Sequence, residues 1–298
     1  MISAPIADRL KAAGLDPDQV ERVVRLALDE DLDGGVDITS AATVDEDSRA
    51  VADFATRATG VAAGIPVAAA VLDAVSGGDA QVEFRVADGA RIEPGDVLFT
   101  VSGRTRDLLT GERTALNLLS HLSGVATLTR AWVDAVAGTG AKIRDTRKTT
   151  PGLRRLEKYA VRCGGGVNHR MSLSDAAMVK DNHVIAAGGV VEAFAAVRKR
   201  FPDVPIEVEV DTLDQLLPVV EAGAELVLLD NFTPERMRAA VLLVGRNEPY
   251  GRTRLEASGG LTLSGARAAA DTGVDYLSVG ALTHSAPILD IGCDFRSP

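Results

Sequence analysis

The sequence predicts an α/β protein in which six βα units form a parallel sheet, preceded by a smaller α+β domain. The composition is that of a globular chain, with 46% hydrophobic and 25% charged residues among 298. Beyond Gly140, short apolar runs alternate with helical patterns, which is typical of βα units. Before that residue, strand-like runs flank an alanine-rich helix. The pattern leaves open whether the parallel sheet is doubly wound or rolled into a barrel.

The first predicted helix runs to about Asp31. Asp16 can cap it, Pro17 suits its first position, and Gln19 follows at the capping-box position. The short strands of the small domain are then predicted around residues 49–56, 80–86 and 97–101, with a helix over 65–75.

A longer helical pattern runs from Asp107 to Trp132. Ser123 and Gly124 interrupt it, which predicts two helices with a break between them.

The carboxyl-terminal half supplies the six strands of the parallel sheet. They are predicted at residues 142–144, 176–179, 206–210, 226–229, 255–257 and 276–279. Helix starts support the count, since Thr212 and Gln215 are spaced as a capping box and Thr233 precedes Pro234 as cap and first position.

Charge is distributed unevenly along the chain. The net charge of −10 argues against a nucleic-acid partner, which requires a basic footprint. Residues 142–180 invert this balance, with ten basic and three acidic residues, a difference of +7. Arg154, Arg155 and Lys158 are expected on a solvated helix face. Four other basic side chains lie among loop residues and predict a pocket for a multiply anionic small molecule; they are Arg147, Lys148, Arg170 and Lys180.

Membrane and secreted classes are not indicated. No run reaches the ~18 apolar residues of a membrane span, and charges interrupt the first twenty residues, so a cytoplasmic location is expected. Cys163 and Cys293 are too far apart in the sequence for a disulfide framework or thiolate metal site, and we interpret both as packing residues.

The predicted strand ends carry charged residues or glycine, and in a parallel βα barrel these ends meet at the catalytic edge. Glu207 and Glu209 share one face of a strand, where a barrel core would take valine. Glu209 and Asp230 suit Mg²⁺, which is usually held by one or two carboxylates plus substrate phosphates. Ser258, Gly259, Gly260 and Gly280 allow backbone N–H groups to approach a phosphate.

The remaining basic side chains at these ends would take further negative groups on the substrate. They are Arg147, Lys148, His169, Arg170 and Lys180. Magnesium, phosphate and a further anion together indicate a sugar diphosphate and an acidic co-substrate.

Several motifs, in order along nearly the whole chain, closely resemble the quinolinate phosphoribosyltransferase family. They are Glu30–Leu32, Gly111–Asn117, Asp145–Arg154, Lys158–Arg170, Met178–His183, Glu207–Val210, Leu229–Asn231, Glu256–Gly260 and Ser278–His284. The resemblance implies an incomplete six-stranded α/β barrel over residues 117–284. It also implies a sandwich-like domain over 1–116, against which 285–298 pack.

The resemblance further implies a reaction and a partner. Quinolinate and 5-phosphoribosyl 1-diphosphate would give nicotinate mononucleotide, diphosphate and CO₂, with Mg²⁺ as cofactor. The enzyme would be a homodimer in which Arg113 enters the neighbouring subunit's site.

The resemblance also assigns the family's functional residues to matching positions of this sequence. The resemblance assigns quinolinate to Arg113, Arg147, His169, Arg170 and Lys180. It assigns the phosphoribosyl diphosphate to Lys148, Glu209, Asp230, Ser258, Gly259, Gly260, Gly280 and His284. The catalytic groups would be Lys148, Lys180, Glu209 and Asp230, with the last two near the metal, directly or through water. His121 is expected to pack in a helix, and His183 to support the site.

Two alternatives stay open. A paralogous enzyme of the same fold would use another anionic substrate, against which the full set of basic residues argues. Residues 87–98 also resemble the hairpin of biotinyl and lipoyl carrier domains, but residues 51–101 contain no lysine to modify.

Overall fold

A computed structural model describes residues 2–245 and 253–296. It falls into two compact units. The sandwich unit comprises Met1–Arg130, Thr149–Gly165 and Thr283–Pro298, and the barrel unit comprises Ala131–Lys148 and Gly166–Leu282. Residues 116 and 117, between which the sequence analysis places its domain boundary, both lie within one long helix.

The elements up to that helix are α1 (Ala4–Ala12), α2 (Pro17–Leu32), α3 (Ile38–Thr43), β1 (Arg49–Thr56), β2 (Gly60–Val61), α4 (Ile65–Val75), β3 (Gln81–Phe84), β4 (Arg91–Ile92), β5 (Val97–Arg104) and α5 (Thr105–Ala135). The elements after it are β6 (Lys142–Arg144), α6 (Arg154–Cys163), β7 (Ala177–Val179), α7 (Asp181–Ala187), α8 (Val190–Arg200), β8 (Ile206–Val210), α9 (Leu213–Glu221), β9 (Leu226–Asp230), α10 (Pro234–Val244), β10 (Arg254–Ser258), α11 (Ala266–Ala270), β11 (Tyr276–Ser278), α12 (Ala281–His284) and β12 (Ile291–Arg296).

The sandwich unit is built on an antiparallel sheet with the strand order β12-β1-β5-β3. Phe54 and Phe99 stack across its central pair, with ring centroids 4.4 Å apart. Helix α4 is almost wholly buried because its residues are nearly all apolar. The carboxyl-terminal strand β12 pairs with β1 along six positions.

The amino-terminal helices differ from expectation in two details. Helix α1 precedes the helix that the sequence predicts to be first. The side chain of Asp16 does cap α2, but it accepts the amide hydrogen of Asp18 and the expected box with Gln19 is absent. The capping box of Thr212 with Gln215 and the cap at Thr233 form as predicted.

The predicted break at Ser123 and Gly124 is wrong, because α5 is continuous over 31 residues. Gly124 instead allows another backbone segment to pass close to the helix. A Cβ built on it would lie 2.1 Å from the carbonyl oxygen of Pro287. The glycine therefore lets another backbone segment of the sandwich unit contact the helix.

Gly124→Ala is expected to lower the free energy of unfolding by about 1–3 kcal/mol, the usual cost of overpacking. Urea denaturation of the purified protein measures it. Gly140→Ala is the control, since nothing lies within 4 Å of the added methyl group. Equal unfolding free energies for the two variants would contradict the close approach.

Buried charge in α6 corrects two further expectations. Lys158 was expected on a solvated face but is 0% exposed, as is Glu157. His121 was expected to pack; its Nε2 lies 3.0 Å from Oε1 of Glu157. Cys163 and Cys293 are free, and burial raises the pKa of each thiol to about 12, so neither is a reactive thiolate at neutral pH.

The barrel unit contains the six predicted parallel strands, in the order β6-β11-β10-β9-β8-β7. It is an incomplete barrel, because β6 and β7 end the sheet and do not pair with each other in the described residues. Val167 forms a parallel bridge with Arg144 beside β6. Within the described ranges, no helix is both long and apolar enough to cross a lipid bilayer.

Candidate active site

All six strands of the barrel unit run in the same direction, so their carboxyl ends share one edge of the sheet. The register aligns Ser258 with both Asp230 and Ser278, and Ser278 with Arg144. Residues far apart in sequence are thereby placed in one row. We call this the catalytic edge.

Asp145, just after β6, anchors the segment 166–170 at this edge. Its carboxylate is completely buried. It accepts hydrogen bonds from Nδ2 of Asn168 at 2.5 Å and from the backbone nitrogen of His169 at 2.8 Å. Two donors compensate for the desolvation of this carboxylate and fix the backbone that carries His169 and Arg170.

A buried polar cluster lies beneath the catalytic edge. Nε2 of His169 lies 2.6 Å from Oε2 of Glu207 and 3.8 Å from Oε1 of Glu256. Glu256 also accepts from Nη1 of Arg144 and from Oγ of Ser278. Burial raises the pKa of both glutamates to about 7, and the charge of Arg144 partly opposes this shift.

Two guanidinium groups, those of Arg147 and Arg170, interact at the edge. Burial lowers the pKa of Arg170, and the like charge of Arg147 lowers it further. Nη1 of Arg170 donates to the carbonyl oxygen of Ala176 at 3.0 Å, which orients the group. Nε of Arg147 is buried without a hydrogen-bond partner among the described residues. Two guanidinium groups whose charges interact suit an anionic ligand.

Lys180, which directly follows β7, forms an ion pair with Glu209 on the adjacent strand β8. Glu207 and Glu209, two positions apart on β8, therefore contact different partners: Glu207 contacts His169, and Glu209 contacts Lys180. His183 is exposed and accepts the backbone amide hydrogen of Lys180 at its Nδ1, 3.0 Å away. It supports α7 at its first turn.

Asp230 and Ser258 end neighbouring strands. The backbone nitrogen of Asn231 donates to the carbonyl oxygen of Ser258 at 2.9 Å, and its side chain donates to Asp230 at 2.7 Å. Gly259 has a φ of 86°, and a Cβ there would lie 2.2 Å from Oδ1 of Asn231, so only glycine fits. After Gly260 the chain forms a 3₁₀ turn at Leu263–Gly265, followed by the short α11.

The donor set at the edge suits a hard divalent cation, because Glu209 and Asp230 offer carboxylate oxygens. Lys180 forms an ion pair with Glu209, so a cation bound by Glu209 would share this carboxylate with the ammonium group of Lys180. A second group with suitable ligand atoms within 4.8 Å of one another is His169, Glu207 and Glu256.

The other predicted site residues lie as follows. Lys148 is exposed, and its backbone nitrogen donates to Oγ1 of Thr146 at 3.0 Å. Gly280 follows β11 at the catalytic edge. Arg113 and His284 belong to the sandwich unit, where both are exposed, Arg113 on α5 and His284 at the end of α12.

Sequence reasoning missed four residues that organise the edge: Arg144, Asp145, Glu256 and Ser278. A signal existed for Arg144 and Glu256, since each is a charged residue in a short apolar strand, as Glu207 is. No pattern in the sequence indicates that these three charges meet.

Two family models match the chain. Quinolinate phosphoribosyl transferase, C-terminal domain, matches residues 125–294, and the N-terminal domain of the same family matches 37–123. The nicotinate-nucleotide pyrophosphorylase (carboxylating) of Mycobacterium leprae is 55% identical over 278 residues, 93% of this chain and 97% of the relative.

Solved structures agree with these matches. NadC from Streptococcus pyogenes has a TM-score of 0.88 at 38% identity, over 95% of this chain and 99% of that one. The nicotinate-nucleotide pyrophosphorylase of Francisella tularensis has a TM-score of 0.87 at 37% identity, over 94% and 96% of the two chains. None of these three relatives is named as a carrier module.

Proposed function

Since this chain belongs to the quinolinate phosphoribosyltransferase family, we propose that its catalytic edge holds quinolinate beside 5-phosphoribosyl 1-diphosphate. The enzyme transfers the phosphoribosyl group to the ring nitrogen of quinolinate. Nicotinate mononucleotide, diphosphate and CO₂ are formed.

The pair Arg147 and Arg170 carries the assignment of the quinolinate site. Guanidinium groups bind carboxylates in a bidentate manner, and quinolinate presents two carboxylates on adjacent ring carbons. Burial, and then the like charge of Arg147, lower the pKa of Arg170, and a bound anion would offset both effects. Lys180, directly after β7, would add a third positive charge. His169 belongs to the same set by resemblance.

Phosphoribosyl diphosphate is assigned to the other strand ends. The glycine-rich ends at Ser258–Gly260 and Gly280, with His284, would hold the 5-phosphate through close backbone approach. Lys148 would hold the diphosphate. Glu209 and Asp230 would face the ribose.

The chemistry requires positioning and charge more than covalent catalysis. As diphosphate leaves, positive charge grows on the ribose, and the carboxylates of Glu209 and Asp230 stabilise it. The cations Lys148 and Lys180 stabilise the negative charge of the leaving group. Ribosylation makes the ring nitrogen cationic, so it accepts the electron pair left when CO₂ departs from the adjacent carbon.

Mg²⁺ is the cofactor we propose. Glu209 and Asp230 would hold it, directly or through water, and it would supply charge stabilisation for the departing diphosphate. A cytoplasmic location stays a prediction of the sequence.

A homodimer completes the proposal, with Arg113 of one subunit serving the neighbouring site. An equal mixture of Arg113→Ala and Lys148→Ala proteins is then expected to recover about a quarter of wild-type activity after subunit exchange. Half of the dimers are mixed, and one of their two sites is intact. Each variant alone is the control. A mixture no more active than the separate variants would exclude a shared site.

A coupled assay tests the function. We expect nicotinate mononucleotide and CO₂ in equal amounts from quinolinate, and no comparable product from nicotinate, which lacks one of the two carboxylates. Turnover of nicotinate at the same rate would favour a paralogous activity.

A further inference from the structure

Asn231, directly after β9, has a backbone conformation that residues with a side chain rarely adopt. Its φ is 54°, and the only other described residue besides glycine with a positive φ is Asp33, at 45°. Glycine takes this left-handed conformation at no steric cost, and asparagine takes it more readily than most residues. Because glycine would satisfy the backbone equally well, the conformation alone does not explain an asparagine at this position.

The side-chain amide of Asn231 lies between two parts of the catalytic edge. Its Nδ2 donates a hydrogen bond to Oδ2 of Asp230 at 2.7 Å. Its Oδ1 faces Gly259, where an added Cβ would lie 2.2 Å from that oxygen. The backbone nitrogen of Asn231 donates to the carbonyl oxygen of Ser258 at 2.9 Å. The residue is therefore held against the ends of both β9 and β10.

The carboxylate of Asp230 depends on this amide for its orientation. Among the residues that the structure describes, no other group donates a hydrogen bond to it and no basic side chain pairs with it. Glu209, in contrast, is paired with Lys180. The bond from Asn231 occupies Oδ2 of Asp230 and leaves its Oδ1, on a partly exposed residue, available to a ligand.

We propose that Asn231 is a positioning residue for Asp230: its Nδ2 fixes the Asp230 carboxylate, and its Oδ1 sets the spacing between that carboxylate and Gly259. The inference rests on the proposed function, in which Asp230 faces the ribose and Ser258–Gly260 hold the 5-phosphate of the same substrate. One side chain would thus align two contacts to phosphoribosyl diphosphate.

Crystal structures of the free wild type and of Asn231→Gly, both grown without Mg²⁺ or substrate, test the positioning directly. Glycine retains the backbone conformation and removes only the amide, so the variant should fold as the wild type does. We expect the backbone to be unchanged and the Asp230 carboxylate to turn or to occupy several conformers. The same single carboxylate orientation in both structures would overturn the proposal.

Steady-state kinetics at saturating Mg²⁺ tests the consequence. We expect Asn231→Gly to lower kcat about tenfold, the loss from one hydrogen bond to a charged group, and to leave the KM for quinolinate within about twofold. Asn231→Asp keeps the size and the backbone preference but not the donor, so it should be at least as slow. Asp33→Gly is the matched control, since it makes the same backbone change at the other positive φ, and should keep wild-type kinetics.

Two kinetic results would overturn the proposal. A wild-type kcat in Asn231→Gly or Asn231→Asp would show that the Nδ2 donor is not needed. A change confined to the KM for phosphoribosyl diphosphate would show that Asn231 contacts the substrate itself.

A double-mutant cycle with Asp230→Ala separates this inference from the proposed function. If Asn231 acts through Asp230, Asn231→Gly should lower kcat less than about twofold in the Asp230→Ala background. A full tenfold loss there would show an independent role for Asn231 and overturn the proposal. A wild-type kcat in Asp230→Ala alone would instead refute the proposed role of Asp230. The carboxylate orientation in the Asn231→Gly crystal would then still decide whether Asn231 positions it.

Discussion

Arg147→Ala is expected to weaken quinolinate binding by roughly ten- to a hundredfold, the usual loss for a hydrogen-bonded charge. The reason is electrostatic. Burial and the like charge of Arg147 lower the pKa of Arg170, and in the proposed site the removal of one guanidinium leaves only the other of the pair for two carboxylates. Isothermal titration calorimetry with quinolinate measures the effect. Binding of phosphoribosyl diphosphate should change much less.

Arg155→Ala is the matched control for this substitution, since Arg155 is an exposed arginine of the same basic segment. It should bind quinolinate as the wild type does. Arg147→Lys should recover only part of the affinity, because an ammonium group lacks the bidentate geometry. Quinolinate binding by Arg147→Ala as tight as that of the wild type would show that Arg147 does not bind quinolinate.

Glu209→Gln is expected to lower kcat by about two orders of magnitude, the size of effect seen when one electrostatic stabiliser of a transition state is lost. It should also raise the Mg²⁺ concentration needed for half-maximal rate. Steady-state kinetics over a Mg²⁺ titration measures both. Glu209 pairs with Lys180, and in the proposed mechanism the substitution removes its negative charge from the ribose.

Glu221→Gln is the control, since Glu221 is an exposed carboxylate at the end of α9. It should leave both kcat and the Mg²⁺ dependence unchanged. A Lys180→Met variant, alone and combined with Glu209→Gln, measures the coupling between the paired residues. If Glu209→Gln kept the wild-type kcat at every Mg²⁺ concentration, Glu209 would neither stabilise the ribose nor hold the metal.

Much of the barrel unit could be predicted because its strands are short apolar runs between well-marked helices. β6 and β8 begin and end where the sequence places them. Glu207 and Glu209 stood out because a charge inside a buried strand requires a partner. The same argument applies to Arg144 and Glu256 and would have marked each as a candidate, but it does not indicate that these charges meet.

Other features could not be predicted because they depend on contacts between distant segments. Gly124 fits the helix-breaker pattern, yet α5 continues through it, and the glycine leaves room for the carbonyl oxygen of Pro287. Lys158 belongs to a strongly basic segment, yet it is buried. The local sequence indicates which secondary structure and exposure a residue favours, but its contacts in the folded protein can override that preference.

A crystal structure of the enzyme with quinolinate most directly tests the central claim, that paired guanidiniums at the catalytic edge bind a dicarboxylate. We predict the two carboxylates within about 3 Å of the Arg147 and Arg170 guanidinium nitrogens, the usual distance of charged hydrogen bonds. Quinolinate bound elsewhere, with Arg147 and Arg170 making no contact to it, would contradict the account.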